Sequence, residues 1–151
     1  MWYLNTAQLT AAVLVPQANL FNPATTVVYN FGLATDTPVV NNWNGASNNV
    51  DMIGVYRPST TPGGLSQWIV DTVGNGVVTA SEIANPYLFG IAGDIPVVGD
   101  WNENGRKRIG VFRSGIFILD VNGTNAYAPN DVMGAFGLAT GDTPVVGLWT
   151  N

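Results

Sequence analysis

Few residue types in this 151-residue chain could carry out catalysis. It contains no histidine and no cysteine, which excludes the usual pairs of nucleophile and base and any thiolate metal site. Ten acidic residues remain, and paired carboxylates can hydrolyse a glycosidic bond. Only Glu82 and Asp131 lie in segments that stand apart from the repeated motifs described below. We therefore predict that the protein is not an enzyme, with a glycoside hydrolase as the remote alternative.

Other charged residues recur at fixed places along the chain. Asp36, Asp94 and Asp142 each begin an Asp-x-Pro-Val-Val sequence. Arg57 and Arg113 each end an Ile-Gly-Val-aromatic-Arg sequence. A carboxylate in front of a strand can accept backbone N–H groups and fix the turn, and an arginine at the end of a matching strand could reach it. Because an active site normally occurs once, we interpret these repeated residues as structural.

The sequence around these residues is itself repeated. Phe-Gly-x-Ala, then Asp-x-Pro-Val-Val, then Trp occurs three times, starting at Phe31, Phe89 and Phe136. Between the copies lie the Ile-Gly-Val segments and aromatic segments that end in Asp71 and Asp120. We predict one repeat domain, residues 1–151, of about three units that are incomplete at both ends. The approximate units are residues 1–43, 44–101 and 102–151.

The local pattern predicts strands that position these motifs. Short β-branched and aromatic runs are bounded by Gly, Pro, Asn and Asp throughout. Helical segments are limited to one turn at residues 79–84 and two turns at residues 6–14. The predicted fold class is all-β, built from repeated antiparallel sheets.

Composition limits the possible partners. Charged residues make up 10% and hydrophobic residues 46% of the chain, which suggests that part of the surface is not meant for water. The net charge of −5 argues against a nucleic-acid partner. No segment has the roughly 18–20 apolar residues of a membrane span. The basic run at residues 106–108 is interpreted as a solvated turn.

The second unit resembles a known family. Residues 89–113 read Phe-Gly-x-x-Gly-Asp-x-Pro-Val-Val-Gly-Asp-Trp-Asn-x-x-Gly-x-x-x-Ile-Gly-Val-Phe-Arg. This order resembles the FG-GAP and VCBS-type repeats of bacterial extracellular proteins, which are similar to the blades of the integrin α-subunit propeller. The resemblance covers most of the chain from Phe31 onward. It implies β-propeller blades, an extracellular or cell-surface location, and adhesion or ligand presentation.

The resemblance also implies a calcium loop of the type Asp-x-Asn-x-Asp-Gly-x-x-Asp between two strands. In the second unit the candidate calcium ligands are Asp100, Asn102 and Asn104, but Arg108 stands where the last Asp is expected. The alternative is an Asn-rich turn held by side-chain to backbone hydrogen bonds, with no cofactor. The first unit offers, in a longer loop, Asn42, Asn44, Asn48 and Asp51.

Two non-enzymatic functions follow as hypotheses. The first is a structural protein that self-assembles head to tail, as a filament or a ring, by completing β-sheets between copies. The second is a lectin or adhesin that binds a glycan or another cell-surface ligand. The five tryptophans fit either packing between sheets or a sugar platform; they are Trp2, Trp43, Trp68, Trp101 and Trp149.

Overall fold

The computed structural model describes residues 2–5, 26–29, 31–45 and 50–147, with side chains from residue 31 onward. Its described part is all-β, which confirms the predicted fold class. One short helix, α1, spans Ala80–Ala84 and confirms the helical turn predicted there. The turns predicted at residues 6–14 lie outside the described residues. The strands are β1 Trp2–Asn5, β2 Thr26–Tyr29, β3 Thr37–Asn41, β4 Met52–Arg57, β5 Leu65–Val70, β6 Tyr87–Ile91, β7 Ile95–Gly99, β8 Arg108–Arg113, β9 Ile116–Leu119 and β10 Val132–Ala135.

Eight of these strands form two four-stranded antiparallel sheets in which neighbours along the chain are neighbours in space. The first sheet has the order β3-β4-β5-β6, and the second has the order β7-β8-β9-β10. β1 and β2 pair with each other. Each four-stranded sheet thus begins at an Asp-x-Pro-Val-Val motif and ends in the strand that precedes the next one.

The two sheets share one internal register. Pro38 lies opposite Val55 in the first sheet, and Pro96 lies opposite Val111 in the second. Both prolines are on edge strands, where a missing N–H costs no ladder hydrogen bond. The equivalence predicted from the repeat therefore holds for these two copies. In the third copy, residues 142–147 form no strand.

The largest apolar core lies between the two sheets. β3 lies beside β7, and β6 lies beside β8. Tyr56 and Trp68 of the first sheet and Val111 of the second belong to this core, with Phe89 among them, and all four are fully buried. A second, smaller core joins Phe31 to Ile53, Val55 and Ile69 of the first sheet. Phe31 precedes the first sheet and packs against it, whereas Phe89 lies in β6 of the first sheet and packs against residues of both sheets.

Candidate functional site

Three Phe-Gly segments link or flank the sheets, at residues 31–36, 89–94 and 136–142. We call them the first, second and third Phe-Gly segments. In each, the aspartate accepts a hydrogen bond from a backbone N–H earlier in the segment. The distances are 2.7 Å from Leu33 to Asp36, 2.8 Å from Ile91 to Asp94 and 2.7 Å from Leu138 to Asp142. The first two turns are closed in the same way, as a carboxylate before a strand predicts, and the third is closed by the same kind of bond across one more residue.

The aspartates of the first two segments also hold an arginine from the sheet that follows. Arg57 donates from Nε and Nη2 to the two oxygens of Asp36, at 2.9 and 2.8 Å. Arg113 does the same to Asp94, at 2.7 and 2.8 Å. Both carboxylates are buried, and burial acts to raise the pKa of Asp36, but the hydrogen bonds from Arg57 and Leu33 outweigh it and lower that pKa. These paired contacts fasten each segment to its sheet.

The second Phe-Gly segment begins within β6, the edge strand of the first sheet, and also contacts the second sheet. Gly90 has a φ of +80°, and a Cβ there would lie 2.8 Å from Val111 and 3.0 Å from the Tyr56 hydroxyl. Glycine is required because any side chain would meet one sheet or the other and would also be strained. In the third segment, a Cβ at Gly137 would approach Phe112 of the second sheet at 3.3 Å. The third segment therefore lies against the sheet that precedes it.

Two buried donors of the first sheet bind the backbone of the second segment. The Tyr56 hydroxyl donates to the carbonyl of Ile91 at 2.8 Å, and the Trp68 indole N–H donates to the carbonyl of Phe89 at 3.0 Å. The two rings meet edge to face at 5.2 Å. Burial, reinforced by the nearby charge of Asp94, raises the pKa of Tyr56 to about 12. The hydroxyl thus stays protonated and able to donate at physiological pH.

The third Phe-Gly segment is exposed where the other two are covered. Phe136 is 83% exposed, against 3% for Phe31 and 0% for Phe89. Among the described ion pairs, none involves Asp142. Apolar neighbours on the same stretch are exposed as well, and together they form what we call the exposed patch: Val132, Met133, Phe136, Leu138 and Val145. Exposed apolar patches can mark interaction surfaces, so this patch is a candidate for one.

The candidate calcium ligands are engaged in local hydrogen bonds. Asp100 accepts the N–H groups of Asn104 and Gly105, at 3.1 and 2.6 Å. The amide of Asn102 donates to the carbonyl of Val121 at 3.1 Å, and the Asn104 side chain accepts the N–H of Arg106 at 3.0 Å. One carboxylate with both oxygens on backbone N–H groups is a poor donor set for calcium, which takes six to eight oxygens. The donors present do not fit the ion.

The first unit offers no better site within the described residues. Asp51 pairs with Lys107 at 3.0 Å, and Asn48 lies outside the described part of the chain. No group of three or more acidic, histidine or cysteine side chains that could hold a metal occurs in residues 31–45 and 50–147. The same backbone-binding arrangement recurs at Asp71 and Asp120, which are buried and each accept three N–H groups. Several aspartates of this chain thus stabilise a turn by accepting backbone N–H groups of the residues that follow them.

The two acidic residues outside the repeats hold local structure. Glu82 caps α1, since Thr79 and Glu82 bind each other's backbone N–H groups. Its other oxygen accepts the N–H and hydroxyl of Thr72. Burial acts to raise the pKa of Glu82, and these hydrogen bonds more than offset it, so the pKa is lowered. Burial raises the pKa of Asp131, which accepts from the Ala128 N–H at 2.7 Å.

A polar cavity of about 620 Å³ opens beside the loops that follow β3 and β7. The basic run Arg106, Lys107 and Arg108 lines it together with Trp43 and Tyr87. From the sequence, we interpreted these three basic residues as a solvated turn. The sequence feature that could have indicated a binding site is that these residues form the one basic cluster of an acidic chain.

Two nitrogen donors at this cavity lack a partner in the described structure. Trp43 is 8% exposed, and its indole N–H binds no acceptor. The equivalent Trp101 donates to the carbonyl of Ile109 at 3.0 Å. The Nε of Arg108 is also buried without a partner. A buried donor without an acceptor is uncommon in a folded protein and needs an explanation.

Comparisons of the chain with protein-family models, with curated proteins and with solved structures give no match. The similarity to FG-GAP and VCBS-type repeats therefore rests on the quoted residues alone. No helix in the described residues is long and apolar enough to cross a membrane.

Proposed function

We propose that the protein is a non-enzymatic, extracellular or cell-surface structural protein whose copies assemble head to tail into a filament or a ring. The observation that carries the proposal is the third Phe-Gly segment. Two segments of this kind are covered by a sheet and paired with its arginine, whereas Phe136 is 83% exposed and Asp142 is in no described ion pair. A second copy of the chain can supply a sheet that covers this segment.

The proposed acceptor is the first sheet of the second copy. The first and third Phe-Gly segments begin with the same five residues, Phe-Gly-Leu-Ala-Thr, whereas the second begins Phe-Gly-Ile-Ala-Gly. A surface built by Ile53, Val55 and Ile69 to take Phe31 fits Phe136 equally well. Arg57, which holds Asp36, would then hold Asp142 of the other copy. Such an exchange of equivalent segments is a known route of association in repeat proteins.

Sheet completion would add to this contact. β10 is an edge strand whose residues are all exposed. Its unpaired N–H and C=O groups, next to the exposed patch, can pair with a strand of the other copy. The contact is head-to-tail in either case, so it closes into a ring or continues as a filament according to the rotation between copies.

The non-enzymatic part of the proposal is supported by how the carboxylates are used. The two that stand outside the repeats are Glu82, which accepts four hydrogen bonds around α1, and Asp131, which accepts from Ala128 and Asn122. A general acid and base for glycoside hydrolysis need access to substrate from both sides of the bond. Both carboxylates are instead buried.

The test is sedimentation velocity on the full chain at micromolar concentration, comparing two substitutions with opposite expected effects. F136A removes the inserting side chain and is expected to weaken association. F31A loosens the resident segment, so the acceptor surface is easier to occupy, and is expected to strengthen association. V73E, at an apolar side chain 66% exposed in the turn after β5, is the control and should leave association unchanged.

A wild-type chain that sediments as a monomer at these concentrations contradicts the proposal. So does association that F136A leaves intact. If F136A and F31A both weaken association, copies do associate, but the first sheet is not the acceptor.

The second candidate function is a ligand- or glycan-binding module. The cavity with unpartnered donors beside Trp43 and Arg108 favours it. The two functions use different surfaces and do not exclude each other.

A further inference from the structure

The cavity beside β3 and β7 concentrates the positive charge of an acidic chain. The protein has five lysine and arginine residues, and three of them line this cavity, at residues 106–108. The other two, Arg57 and Arg113, are bound to buried aspartates. The only acidic residue of the lining is Asp51, which pairs with Lys107 where both side chains are largely exposed. The lining therefore carries a formal charge of +2 on a chain of −5.

Two unpartnered groups at the cavity are donors. They are the indole N–H of Trp43, a side chain more than nine-tenths buried, and the Nε of Arg108. Donors without acceptors are complemented by an anion or by an oxygen-rich ligand. Gly123, with a φ of +73°, leaves the space that the Arg108 guanidinium occupies, because a Cβ there would overlap it.

The volume of the cavity and the residues that line it indicate which class of anion fits. A single phosphate would fill a small part of about 620 Å³, a volume in the range of sites for larger ligands. Besides the cations, the walls hold the partly buried ring of Tyr87 and the polar side chains of Asn104 and Asn125. Amides can both donate to and accept from hydroxyl groups, and an aromatic ring covers the apolar face of a pyranose.

We infer that this cavity binds an acidic saccharide, with the carboxylate at Arg108 and Arg106 and an oxygen of the sugar accepting from the Trp43 indole. This inference rests on the second candidate function and not on self-association. It gives that function a ligand class and a location. The Trp43 nitrogen is buried at a residue that lines the cavity, so contact with the ligand requires a local opening of the cavity wall.

The probe is trigalacturonate, titrated into the full-length protein by isothermal calorimetry at low salt. The control ligand is its methyl ester, which has the same hydroxyl groups and no charge. We expect the acid to bind and the ester to bind at least about tenfold more weakly, since charge-assisted hydrogen bonds are the stronger ones. Raising the salt concentration should weaken binding of the acid, because the cations at residues 106 and 107 are exposed and screened.

Two variants locate the site, and two others are controls. R108Q is expected to weaken binding about tenfold. W43F removes the unpartnered N–H together with part of a buried core ring, so it should weaken binding several-fold and also lower the melting temperature, and its binding is measured well below that temperature. E103Q changes the net charge next to the cavity but not its lining, and should bind as the wild type does. F136E should also bind as the wild type does, so failure of self-association and failure of this inference can be told apart.

The inference is overturned if the wild type does not bind trigalacturonate at millimolar concentration, or if acid and ester bind equally. It is also overturned if R108Q binds as the wild type does while its circular dichroism is unchanged. Tighter binding of adenosine monophosphate or of inorganic phosphate would assign the cavity to a phosphate ligand instead.

Discussion

The second and third Phe-Gly segments share a motif and differ in their surroundings. The second lies between two sheets, and the first sheet gives it two donors, Tyr56 and Trp68. The third lies against the second sheet, where the equivalent residues, Phe112 and Phe117, have no polar hydrogen to give. Phe89 is buried and Phe136 is exposed. The motif therefore determines the conformation of the turn. Whether the turn is buried or exposed depends on the sheets that pack on either side of it.

The largest expected difference between the two segments is in stability. F89A should lower the free energy of unfolding by about 3–5 kcal/mol, because it removes a fully buried ring from the main core. F136A should change it by less than about 0.5 kcal/mol, because the ring is mostly in water. Urea denaturation of the dilute, monomeric protein measures both. Equal losses would mean that the third segment is covered in solution.

The next largest difference concerns the aspartates. D94N should destabilise the protein by about 2 kcal/mol, since it weakens two charge-assisted hydrogen bonds to Arg113 at a buried oxygen pair. D142N should have almost no effect in the monomer, because no described arginine contacts Asp142. The same denaturation experiment compares the two. A large effect of D142N would reveal a cation that already pairs with it.

These comparisons show what the sequence could and could not predict. The strands, the α1 turn and the shared register follow from local patterns at Pro38, Pro96 and Thr79. The pairing of Arg57 with Asp36 also follows, because a repeated motif places both at fixed positions. Exposure of Phe136 does not follow, since burial depends on which sheet lies in front of it. Nor does the cavity, where Trp43 meets residues 106–108 across some sixty positions of sequence.

The ion pair between Arg57 and Asp36 in the first segment should make the stability of the protein depend on pH. The pKa of Asp36 is lowered from its ordinary value of 3.8, so its contribution to stability is fully present above that value and is lost as the pH falls through the folded-state pKa. The difference in melting temperature between the wild type and D36N should therefore be largest near pH 6 and shrink below pH 3.8. If the difference in melting temperature between the wild type and D36N does not change with pH, the ion pair does not stabilise the fold.

Y56F should have a smaller effect, about 1 kcal/mol, because it removes one hydrogen bond and leaves the ring in place. It makes the first sheet resemble the second, which has Phe112 at this position. The pKa of about 12 gives an independent check. Ultraviolet titration of the folded protein should lose one late-ionising tyrosine in Y56F. If Y56F is as stable as the wild type, the Tyr56 hydroxyl is not what distinguishes the second Phe-Gly segment from the third.

Calcium removal should have the smallest effect. Asp100 already spends both oxygens on the N–H groups of Asn104 and Gly105, and Arg108 occupies the place of the last carboxylate in the calcium loop that the resemblance implies. Adding EDTA should leave the melting temperature unchanged. D100A should lower stability by about 1–2 kcal/mol, and by the same amount with calcium or with EDTA, because what it loses is the turn and not a ligand. A drop of several degrees on chelation in the wild type, absent in D100A, would show instead that Asp100, Asn102 and Asn104 hold a metal ion and that the turn rearranges to bind it.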